Sequence, residues 1–90
     1  MKFRANGEYI YLAMNDKELE GLRQIYKDSV EKWVRAIRAE EAVATSDHSI
    51  HAWDIWEKAG FDEEDARQYA LTAKKKYESG LRELHYGIRT

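Results

Sequence analysis

The chain has 90 residues, fifteen of them basic and seventeen acidic, for a formal charge of −2. That length fits one domain, and the near balance of charge excludes a polybasic tail built to hold nucleic acid. With no cysteine, disulfides, thiolate catalysis and cysteine-held zinc or iron–sulfur sites are excluded as well.

No run approaches 18 apolar residues, and the first residues lack the apolar segment of a signal peptide, so the chain reads as soluble and cytoplasmic. The first fourteen residues alternate in character around Asn6-Gly7, a pair that readily takes a type I′ turn. A two-residue loop would set Ala5 opposite Glu8, Arg4 opposite Tyr9, Phe3 opposite Ile10 and Lys2 opposite Tyr11. One face then carries Phe3, Ile10 and Leu12, and the other carries Lys2, Arg4, Tyr9 and Tyr11. A lone hairpin is marginal in water, so residues 1–14 are expected to pack their apolar face on helices.

A helix over 15–44 follows. Asn15 can cap it, Glu18 can close a capping box, and Met14 can staple onto Leu19. Leu19, Leu22, Tyr26, Val30, Trp33 and Ile37 recur at spacings of three and four, which makes one apolar stripe. Trp33 is expected against the last helix near Ala73 and Tyr77. Thr45-Ser46-Asp47 breaks the pattern and caps a short helix over 47–59, ended by Gly60 as a left-handed C′ residue. Asp62 then starts a third helix over 62–88, with carboxylates at its positive end. The expected fold is α+β, mostly α: an N-terminal β-hairpin packed on a long-short-long three-helix assembly whose long helices are antiparallel.

Few residues carry chemistry. His48 and His51 lie three apart and Asp54 three further on, a helical spacing that could gather ligands for zinc or iron. The spacing is not that of a zincin, and a capped helix start with two exposed histidines explains it better. No serine sits in a glycine-flanked elbow, and the five glycines are scattered rather than grouped in a phosphate loop, so no catalysis and no cofactor are expected. A nucleotide or nucleic acid could stack on Tyr9 and Tyr11 beside Lys2 and Arg4. Lys74 and Lys75 offer a second basic site, but consecutive lysines fan around a helix instead of forming one patch.

Protein binding is the stronger reading. Three tryptophans in so short a chain exceed what one small core hides fully, and Trp and Tyr dominate interface hot spots. Trp53, Ile55 and Trp56 cannot share one side of a helix, so this region is apolar on more than one side. The expected partner-binding residues are Trp53, Ile55, Trp56, Tyr9 and Tyr11, with a homo-oligomer also open and a membrane excluded. Length, absence of cysteine and absence of catalytic signatures suit inhibitors and regulators of the antitoxin, immunity-protein or phage-inhibitor type. The nucleic-acid reading comes second, and the His48–His51–Asp54 metal site third.

Overall fold

The computed structural model describes residues 2–5, 8–11 and 15–86, with side chains from 15 to 85. Two strands, β1 (Lys2–Ala5) and β2 (Glu8–Tyr11), precede two helices, α1 (Asp16–Ala42) and α2 (Ile50–Tyr86). The folded body is a two-helix hairpin with no strand between residues 15 and 86. This corrects both the α+β class and the β-hairpin expected as one of its layers. The backbones of β1 and β2 pair antiparallel, Lys2 opposite Tyr11 and Arg4 opposite Tyr9. The elements in contact are β1 with β2 and α1 with α2. The face formed by Phe3, Ile10 and Leu12, and the Met14 staple, lie outside the residues whose side chains are described.

α1 starts where the local signal puts it. Asn15 Oδ1 accepts the Glu18 backbone N–H at 2.7 Å, and the Asn15 amide donates to Glu18 Oε1 at 3.3 Å. Asp16 and Glu18 lie in the first turn, where the helix dipole favours them. At the other end the amides of Val43 and Ala44 donate back to the carbonyls of Glu40 and Glu41, tightening the last turn.

The three-helix expectation fails at Gly60. Residues 47–59 and 62–88 were expected as separate helices, but α2 runs unbroken from Ile50 to Tyr86. Gly60 is helical, and a Cβ built there would come 3.1 Å from Glu40 Oε2. The glycine admits a neighbouring side chain and caps nothing. Asp62 likewise accepts from Lys58 Nζ at 3.1 Å, one turn back in the same helix. Glu64 accepts from Gln68 at 2.9 Å and from Arg67 at 3.1 Å. Such pairs at three and four residues support a continuous helix.

The seam between the helices is made of small residues. Ser29 on α1 and Ala66, Ala70 and Ala73 on α2 are buried, so the two backbones approach closely. The Ser29 hydroxyl donates to the Tyr26 carbonyl at 2.7 Å, so it is buried with its donor satisfied. Larger groups clamp the seam from its edges. Tyr26 stacks on Tyr77 with centroids 6.0 Å apart, and Lys32 Nζ lies 6.0 Å above the Tyr69 ring. Trp33 is half-buried, and its indole N–H donates to Glu63 Oε2 at 2.6 Å. It was expected beside Ala73 and Tyr77; Tyr77 is taken by Tyr26 instead, and Trp33 meets Glu63.

The hairpin is long and thin. Its radius of gyration is 19.7 Å and its longest extent 67 Å, against about 12 Å for the radius of a compact chain of this length. Among the described residues no helix is long and apolar enough to cross a membrane.

Candidate functional site

The antiparallel register decides where the tip of the molecule lies. Glu40 sits beside Gly60, so α1 ends about level with Lys58, and the first two turns of α2 run on beyond it. Those turns, Ile50 to Glu57, have no α1 surface beneath them. The loop 43–49 lies against them instead, shaped by two short turns. Thr45 Oγ1 accepts the Asp47 N–H at 3.2 Å, and Asp47 Oδ1 accepts the Ser49 N–H at 3.0 Å. Ser49 is the working N-cap, its hydroxyl accepting the Ala52 N–H at 3.1 Å. Asp47, expected as the cap, folds the loop.

Between loop and helix lies an open notch of about 310 Å³, walled by Val43 and Ala44 on the loop and by Ala52, Trp53 and Trp56 on α2. Thr45, Asp47, His48 and Ser49 form its polar rim. The two indoles meet at 5.4 Å between centroids, tilted by 43°. Trp53 remains 55% exposed and Trp56 39%, while Ile50 just outside is 81% exposed. Water thus reaches a good part of this apolar cluster. An exposed apolar patch of this kind is a candidate docking surface.

The candidate residues separate cleanly by position. Trp53 and Trp56 come together in the notch, whereas Ile55, 44% exposed, points away from its walls, as its helical angle from Trp53 requires. Lys2, Arg4, Tyr9 and Tyr11 lie on the paired strands, and their side chains are outside the described residues. Lys74 and Lys75 are exposed, eighteen or more residues along α2 from Trp56 and so about 27 Å away. His48 precedes the first turn of α2, so the helical spacing that would bring it onto His51 and Asp54 does not apply. No three His, Asp or Glu side chains converge as metal ligands among the described residues. The loop wall, Val43 and Ala44, was not anticipated, because its position depends on turns that sequence spacing does not fix.

The half of the hairpin that carries the loop is acidic. From residue 30 to residue 69 there are five basic and ten acidic side chains. An acidic surround repels phosphate and attracts cationic groups. No known protein family, curated protein or solved structure matches this chain.

Proposed function

We propose that this protein is a non-enzymatic binding module, an inhibitor or regulator that acts in the cytoplasm by docking another protein on its tryptophan notch. The observation that carries the reading is the Trp53–Trp56 pair, held side by side and left in water at the tip of the hairpin. The notch has the volume for one large apolar side chain, and its acidic surround suits an anchor flanked by Lys or Arg. Nucleic acid is the weaker reading, since phosphates would face the acidic half of the molecule.

The test is capture of partners from the source cell by wild-type protein and by Trp53→Ala and Trp56→Ala variants, identified by mass spectrometry. We expect both variants to stay helical by circular dichroism and to lose the partner. Apolar anchoring also makes binding nearly independent of salt between about 50 and 200 mM, a range over which a phosphate-contacting complex weakens by orders of magnitude. Retention of the partner by both variants, or a steep salt dependence with nucleic acid recovered, would overturn the reading.

A further inference from the structure

We propose that two copies of this chain pair side by side and antiparallel, α1 against α1, to form a four-helix bundle. The surface involved is separate from the tryptophan notch, and the proposal stands without that reading.

The first observation is how little the hairpin buries. A seam of Ser29, Ala66, Ala70 and Ala73 gives little apolar area, and two helices alone are a poor basis for stability. Meanwhile Leu19, Tyr26, Val30, Val34 and Ile37 make an apolar edge on α1 beside the seam. Val34 and Ile37 are exposed there, and the other three are half-buried. A shallow cleft of about 270 Å³ opens over Tyr26, Lys27, Val30 and Glu31, midway along this edge.

The second observation identifies the occupant. At 100° per residue, Glu20, Lys27, Glu31 and Arg38 fall within about 40° of one another on α1, along the flank of that edge. Lys27, Glu31 and Arg38 make no ion pair among the described residues, and Glu20 meets only its neighbour Arg23, at 2.7 Å. Let an antiparallel copy be placed with its two-fold axis level with Ser29. Glu20 then faces Arg38 of the second copy, and Lys27 faces Glu31 of the second copy, each contact repeated by symmetry. Both of these facing pairs are opposite in sign. A parallel arrangement would put the two copies of this flank on opposite sides of the interface, where these charges would not meet. Such self-complementarity is what an isologous two-fold interface requires.

The whole molecule agrees. Five basic and ten acidic residues occupy the loop half, from 30 to 69, while seven basic and six acidic residues occupy the rest of 15–86. Antiparallel pairing lays the acidic half of each copy along the more basic half of the other. With α2 lying along α2 beside the α1 pair, as the four-helix bundle requires, the two-helix face of each copy, each helix 10–12 Å wide over the roughly 40 Å of α1, presents about 800 Å², the size of a standard stable interface.

The chain has no cysteine, so disulfide trapping can read the geometry directly. Sedimentation of the purified protein up to about 100 μM should show a dimer. An oxidised equal mixture of Glu20→Cys and Arg38→Cys proteins should give the mixed disulfide, while Glu20→Cys alone should stay uncrosslinked. Lys27→Glu should raise the dimer dissociation constant about tenfold, and adding Glu31→Lys should restore it. Circular dichroism confirms that each variant remains helical. A wild-type monomer across the concentration range, self-crosslinking of Glu20→Cys in preference to the mixture, or failure of the double charge exchange to restore pairing would overturn the proposal.

Discussion

Trp33 is half-buried and bridges the seam, its indole N–H holding the Glu63 carboxylate at 2.6 Å. Trp33→Phe should keep most of the packing and lose the bond. The expected cost is about 1 kcal/mol by urea unfolding, because Glu63 is only half-buried and water can replace the donor. Gly21 lies inside α1 with nothing within 4 Å of a built Cβ, so Gly21→Ala should raise stability by about 1 kcal/mol in the same measurement. Glu64 has its carboxyl held below the usual carboxylate value, chiefly by the Gln68 amide, against an opposing desolvation and with further help from Arg67. A depressed folded-state value stabilises above the unfolded value and is lost as pH falls through the folded one. The contribution of Glu64 should therefore fade on acidification, and Gln68→Ala should flatten that part of the stability–pH curve.

At the scale of elements, capping was legible and continuity was not. Asn15 and Glu18 lie three residues apart and act through bonds that need no tertiary contact, so the start of α1 could be read directly. Gly60-Phe61-Asp62 carries the same local chemistry as a helix stop followed by a restart. What distinguishes the readings is context away from Gly60: Glu40, twenty residues away in sequence, lies 3.1 Å from where a Cβ would stand, and the Lys58–Asp62 pair ties the turns together. The site divides in the same way. The helical wheel alone separates Ile55 from Trp53, but the facing wall of the notch depends on the turns at Thr45 and Asp47. The close seam leads to its own prediction. Ala70 is 3% exposed, and Ala70→Leu would force the helices apart, at an expected cost of about 1–3 kcal/mol seen as a lowered urea midpoint.

At the scale of the whole molecule, the two helices differ in length by ten residues, 27 against 37, and the difference falls at the tip. Two turns of α2 are thereby held by their own backbone bonds, the Ser49 cap and a seven-residue loop, while the turns around Ala66 to Ala73 are locked against α1. Local opening should follow that gradient. By hydrogen exchange, the amides from Asp54 to Lys58 should exchange on the order of a hundredfold faster than those from Ala66 to Ala73. A protein seated between the indoles would hold these turns shut and slow their exchange, while leaving the distant seam as it was. The tip would then report its own occupancy, amide by amide, whether or not the rest of the molecule changes.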